Sequence, residues 1–173
     1  MKLPREPLSN EEADRLANAA DSFLEKLVIF TLLDTGFRVS ELAGLTRDSI
    51  QWQEQRLVVY GKGGIYGKKS KRRVIPMTER VRHLLEHYFA VEDDIRSSKR
   101  TIQRLVKRVA KHAGITKPCT AYVLRHTFAV TCIKKNVSLR SVQTLLGHDR
   151  LTTTEIYLNL SPEFGSFTMN SNL

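Results

Sequence analysis

The 173-residue length suits one domain with a buried core, and a content of 41% hydrophobic and 27% charged residues excludes both wholesale disorder and a disulfide scaffold. Lys and Arg number 28 against 18 Asp and Glu, a formal net charge of +10 that attracts polyanions and points to nucleic acid or an anionic membrane surface. No apolar run nears the ~20 residues of a membrane span, and the charged start from Met1 to Asn10 lacks the apolar stretch of a secretory signal, so an intracellular protein, cytoplasmic or nucleoid-associated, is expected.

Ser9, with Glu12 three positions on, forms a capping box that predicts a helix through about Ala20, and Asp21 is a candidate cap for a second helix. In that second helix Leu24, Leu27, Val28 and Leu32 recur at helical spacing, and Gly36 ends it just before Arg38. A short helix over Ser40 to Leu45 follows. The pattern then changes to three strand-like segments, near Ile50 to Trp52, Arg56 to Tyr60 and Arg72 to Met77, which predict a small three-stranded antiparallel sheet.

The connection between the last two strands, GKGGIYGKKSKRR, carries four glycines and six basic residues and reads as a flexible, positively charged hairpin tip suited to phosphate. No GxxxxGK[ST] can be drawn through it, which excludes a Walker A loop. Beyond it Val81, Leu84, Leu85, Tyr88 and Phe89 form one helical stripe, and Ile102, Leu105, Val106, Val109 and Ala113 another. The second of these helices is basic outside, with Lys99, Arg100, Arg104, Lys107, Arg108 and Lys111 forming either a solvated face or one that tracks phosphates. Further helices are expected over Tyr122 to Lys135, Leu139 to Leu146 and Thr152 to Leu160. The polar stretch from Ser161 to Leu173 is expected to be a disordered tail, its EFGS segment of the kind left by cloning. Cys119 and Cys132 stand alone and the five histidines complete no zinc-ligand spacing, so the cysteines read as free thiols.

Taken singly, Arg38, Lys62, Arg125, His148 and Tyr157 are ordinary residues; their surroundings set them apart. TGFRVSELAGL, the GKG of the basic hairpin, VLRHTFA and LLGHDRLTTTEIY occur in that order, with 24 positions from Arg38 to Lys62, 23 from Arg125 to His148 and nine from His148 to Tyr157. From about Leu8 to Leu160 the chain resembles the tyrosine recombinase (phage integrase) family, with gaps like those of its Xer-type members.

The resemblance implies an α+β, mostly α-helical catalytic domain over residues 1–160 that cleaves and rejoins double-stranded DNA, using no cofactor, metal or ATP, with other recombinase subunits in a DNA-bound synaptic complex. The chemistry fits the residue types: phosphoryl transfer needs an in-line nucleophile, donors for the equatorial oxygens and a proton for the leaving oxygen. Tyr157 is the implied nucleophile, forming a 3′-phosphotyrosyl link. Arg38 and Arg125 would hold the non-bridging oxygens through planar guanidinium forks, although an ordinary ion pair of Arg38 with Glu41 would also explain that residue. Lys62 matches the general acid for the 5′-oxygen, with Lys68, Lys69 and Lys71 as rivals. His148 follows Gly147 at a helix end, where it can donate to phosphate or serve a purely structural capping role. Lys68, Lys69, Lys71, Arg72, Arg104, Lys107 and Arg108 are the expected DNA-backbone contacts.

The chain departs from the family at AYVLR, where Tyr122 stands in place of the usual histidine three residues before the second arginine. A phenol donates a hydrogen bond but is a poor base near neutral pH, so the expected role of Tyr122 is to orient phosphate. His126 projects roughly 100° from Arg125 around a helix and does not replace the missing histidine. An N-terminal core-binding domain, general in full-length relatives, and the subunit-docking helix that many of them carry after the nucleophile are not recognisable, so an excised catalytic fragment or a truncated product, monomeric without DNA, is expected. Two other readings stay open: a type IB topoisomerase, and a DNA-binding module that has lost catalysis. A membrane-surface protein would need a helix with a broad aromatic and aliphatic face opposite lysines, and none is present.

Overall fold

The computed structural model describes residues 5–61 and 72–148, and all structural statements refer to these. Seven helices and a three-stranded antiparallel sheet of order β1-β2-β3 make up the described fold, as the patterning predicts. The helices are α1 (Asn10–Asn18), α2 (Phe23–Thr35), α3 (Val39–Ala43), α4 (Glu79–Phe89), α5 (Lys99–His112), α6 (Ala121–Lys134) and α7 (Leu139–Leu146). The strands are β1 (Ile50–Gln51), β2 (Arg56–Tyr60) and β3 (Arg72–Pro76), preceded by a 3₁₀ turn over Arg47–Ser49. The helix expected over Thr152 to Leu160, the tail and the hairpin tip lie outside the described residues.

The Ser9 capping box is formed, its hydroxyl accepting from the Glu12 N–H and the Glu12 carboxylate accepting from the Ser9 N–H. The second cap differs from expectation. Ser22, not Asp21, caps α2 in a capping box with Glu25, and the Asp21 N–H instead donates to the same carboxylate. With glutamate three places after the serine, the reciprocal pair of bonds outweighs what aspartate alone can offer. The short third helix also begins one residue early, at Val39, because Arg38 occupies its N-cap with Glu41 at the third helical position.

Helix α2 is the centre of the fold and packs against α1, α3, α4, α5 and α6. Leu27, Val28, Ile29, Thr31, Leu32 and Thr35 are all buried, which uses more than one face and explains why its apolar residues extend beyond a single stripe. Helix α6 is similar: nine of the ten residues from Ala121 to Val130 are buried, Tyr122 being the exception. Helix α5 is the opposite case: Ile102, Leu105, Val106, Val109 and Ala110 face the core and its basic residues face out. Cys119 and Cys132 are free thiols whose burial pushes both up to about 11. No described helix is long and apolar enough to cross a membrane.

Helix α2 ends at Gly36, whose φ of 65° lies in the left-handed region. A Cβ there would stand 2.4 Å from the Phe128 ring of α6, so this close approach excludes any side chain as well as demanding glycine's conformational freedom. Gly36→Ala is therefore expected to destabilise the protein by on the order of 2–4 kcal/mol, backbone strain and overpacking acting together. Urea denaturation measures it, and a loss below about 0.5 kcal/mol would contradict the packing described.

Candidate active site

The exits of α2 and α7 meet at the side of α6, and Arg125 joins them. Its position within the buried run of α6 leaves its side chain in the interior, only 3% exposed. One terminal nitrogen donates to the Gly36 carbonyl at 2.6 Å and the other to the Leu146 carbonyl. Both acceptors sit at helix C-termini, where carbonyls lack partners within the helix and the helix dipole favours a cation. Both helices are closed by a left-handed glycine, Gly36 and Gly147. The residues just beyond these glycines are thus brought to one place.

Those residues are Arg38 and His148. Arg38 caps α3, its N–H donating to the Glu41 carboxylate at 2.7 Å and its guanidinium donating to the same group at 3.1 Å. Its side chain remains 43% exposed. The ion pair anticipated as a purely structural reading is present, and Arg38 lines a cleft as well; the two roles coexist. The His148 N–H donates to the Gln143 carbonyl at 3.1 Å, closing the last turn of α7, and the Gln143 amide donates to the His148 carbonyl at 3.2 Å. His148 is likewise both a cap and a cleft residue.

Arg38, Arg125, His148 and Tyr122 line one cleft of about 590 Å³, joined by Gln103, Lys107 and Arg5. Tyr122 is 55% exposed, its ring 4.3 Å from that of His126 one turn on. His126 itself is 1% exposed and is not among the cleft residues, in keeping with its expected direction. A second basic pocket shares Arg5, Lys107 and Thr120 with the first and continues it past Lys111 and Lys117. Lys107 and Lys111, one turn apart on α5, thus face the cleft side. Arg108 turns the other way and forks onto Glu25 at 3.1 and 2.8 Å. Arg72 lies at the base of the hairpin opposite Tyr60, and Arg104 is on the exposed face of α5. Lys62, Lys68, Lys69, Lys71 and Tyr157 lie outside the described residues.

Two site residues escaped the sequence reading. In the sequence Glu41 reads only as a surface partner for Arg38, yet its carboxylate is largely buried and also receives both terminal nitrogens of Arg73. In the sequence Arg73 is one of the hairpin's six basic residues; in the fold it is only 7% exposed. Strand alternation carries the missing signal, since Arg73 and Ile75 fall on the buried face of β3.

Cations dominate the electrostatics. Burial, and then the charges of Arg125, Arg38, Arg73 and His126, hold the His148 imidazole down at about 4, so it is neutral at pH 7. Burial likewise lowers His126 to about 4, against an opposing interaction with the backbone of Arg5. Glu41 goes the opposite way: burial would raise it, but Arg73, the Arg38 N–H and Arg125 outweigh that and keep it ionised. Neutral imidazole and clustered guanidiniums together make a cleft built for an anion with hydrogen-bond acceptors.

The sequence model of the Phage integrase family matches residues 6–163. The chain belongs to that family. Tyrosine recombinase XerA of Thermococcus kodakarensis is 34% identical over 181 residues, covering 94% of this chain and 62% of the relative. XerA of Pyrococcus horikoshii is 30% identical over 177 residues, covering 92% and 60%. The chain thus spans about three fifths of the length of these curated relatives. Among solved structures, XerA recombinase superposes with a TM-score of 0.81 at 29% identity, over 97% of this chain and 63% of that one. XerH site-specific recombinase, in a post-cleavage complex with palindromic difH substrate, shares the fold with a TM-score of 0.78 at 22% identity, over 96% and 53%. The α+β, mostly helical fold with a three-stranded antiparallel sheet expected from the resemblance is therefore the fold of this family.

The depressed imidazole of His126 has a consequence for stability. The unfolded chain takes up this proton near the ordinary imidazole value of ~6.5, before the folded chain does, so stability is full above that value and is lost as pH falls from there toward about 4. Between pH 7 and 5.5 the loss from His126 alone is expected to be on the order of 1 kcal/mol. His126→Phe, which keeps the ring beside Tyr122, should lessen the pH dependence in that window and leave the part that the similarly depressed His148 contributes; an undiminished pH dependence of denaturant unfolding would contradict the assignment.

Proposed function

We propose that this chain is the catalytic domain of an intracellular site-specific recombinase that cleaves and rejoins double-stranded DNA through a 3′-phosphotyrosyl intermediate. The observation that carries the reading is the convergence of Arg38, Arg125 and neutral His148 on one cleft. The phenol oxygen of Tyr157 attacks the scissile phosphorus, its proton passing to solvent, and the bond to the 5′-oxygen breaks. Lys62 gives that oxygen its proton. Arg38 and Arg125 bind the non-bridging oxygens, whose charge grows in the transition state, and His148 donates its remaining N–H. Tyr122 adds a phenolic donor at the cleft mouth.

One phosphodiester is exchanged for another, so the reverse attack by a DNA 5′-hydroxyl needs no ATP. Guanidinium and ammonium groups supply the positive charge that other phosphoryl-transfer sites take from metal ions. The hairpin lysines Lys68, Lys69 and Lys71, with Arg72, Arg104 and Lys107, hold the DNA backbone, and Arg108 contributes less because Glu25 already neutralises it. Exchange of strands between two sites then requires further recombinase subunits on the same DNA.

The test is a denaturing gel of protein incubated with nicked DNA. Wild type is expected to form a covalent adduct, and Tyr157→Phe to bind DNA with unchanged affinity and form none. Wild-type protein that binds DNA without an adduct would leave a DNA-binding module and remove the enzyme.

DNA affinity should also fall steeply with salt, each lysine contact contributing a slope of about 0.9 in log K against log salt. Lys107→Gln is expected to remove about one such increment and Arg108→Gln clearly less; equal effects would contradict the division of α5 into a cleft side and a paired side.

A further inference from the structure

We propose that Arg73 is a positioning residue for the cleavage step: it locks β3, at the base of the hairpin, to Glu41 and to the Leu145–His148 turn, fixing Arg38 and His148 relative to one another. The inference rests on the functional reading above and assigns this buried residue a part in it. Arg73 faces the interior beside Ile75, paired across the sheet with Val59. Its two terminal nitrogens donate to the two oxygens of Glu41, and its Nε donates to the Leu145 carbonyl at 2.9 Å. Its Cδ lies 3.1 Å from the point where a Cβ on Gly147 would stand, so the arginine stem and the turn before His148 are in tight contact.

Its Nε and both terminal nitrogens donate to protein acceptors and, unlike Arg125, it is not among the residues that line the cleft. Arg73 therefore acts through its neighbours rather than on phosphate. Glu41 shows how. Its Oε2 accepts from the Arg38 N–H and its Oε1 from the Arg38 guanidinium, while each oxygen also accepts from Arg73. A carboxylate facing Arg38 alone would compete with phosphate for that guanidinium; with Arg73 on the same carboxylate, Arg38 keeps its orientation while its attraction for an anion is preserved. Lysine cannot reproduce this, because a single ammonium offers neither the planar fork nor the separate Nε donor.

The experiment is single-turnover adduct formation by the full chain on nicked DNA at saturating concentration, comparing wild type, Arg73→Lys and Arg73→Met, with DNA affinity measured alongside. Arg73→Lys is expected to reach nearly the wild-type adduct amplitude at a rate lower by about tenfold or more, as misplacement of catalytic groups entails, with affinity little changed. A wild-type rate, or a reduced amplitude at unchanged rate that reports only a misfolded fraction, would overturn the proposal. A second arm follows the His148 ring by NMR without DNA. Its titration midpoint should rise in Arg73→Met, or shift in Arg73→Lys if the methionine variant does not fold; an unmoved midpoint would overturn the link to His148. If wild type forms no adduct the functional reading fails, and the NMR arm alone then decides whether Arg73 sets the cleft.

Discussion

A guanidinium buried between two helix ends organises this molecule. Arg125 donates to the Gly36 carbonyl that closes α2 and to the Leu146 carbonyl that ends α7. Hydrogen bonds that involve a charged group contribute about 1.5–3 kcal/mol each, and here they also satisfy carbonyls that a helix cannot satisfy for itself. The arginine sits in an apolar stretch of α6 because those acceptors await it there. Its bonds draw together two chain exits, and the residues that follow them, Arg38 and His148, become neighbours although they are far apart in sequence.

The field inside the cleft follows from that assembly. Arg38, Arg73 and Arg125 act on His148, while Glu41 is the carboxylate that Arg38 and Arg73 share. A site so constituted favours an anion, and the neutral imidazole can donate to it without adding further charge. The cleft continues along the Lys107 and Lys111 side of α5 into a second basic pocket, so the electrostatic pull extends beyond a single phosphate. Positioning and attraction therefore arise from the same residues.

Much of the fold was legible because its local signals were strong. Serine caps with glutamate three residues on, glycine after α2 and α7, and the change from helical to alternating spacing near Ile50 each reflect a local energetic preference. The misassigned Asp21 cap shows how two adjacent candidates are separated only by which one completes the reciprocal bonds with Glu25. Arg38, Arg125, His148 and Tyr122, which line one cleft, stand out in the sequence through flanking motifs and not through their own chemistry. Glu41 and Arg73 were missed because their meaning is tertiary: an i, i+3 pair on a short helix reads as surface until a strand from elsewhere covers it. The burial of Arg125 was equally hidden, since an arginine inside an apolar helix makes sense only when its acceptors are known.

The claim that one guanidinium both closes the fold and anchors a phosphate is tested most directly by Arg125→Lys, measured for unfolding and for covalent capture of nicked DNA. A lysine can reach one carbonyl but cannot fork to two while facing the cleft. The account predicts a lower denaturation midpoint and, in the fraction that stays folded, adduct formation slower by about a hundredfold or more. A variant as stable as wild type, forming the adduct at the wild-type rate, would contradict it.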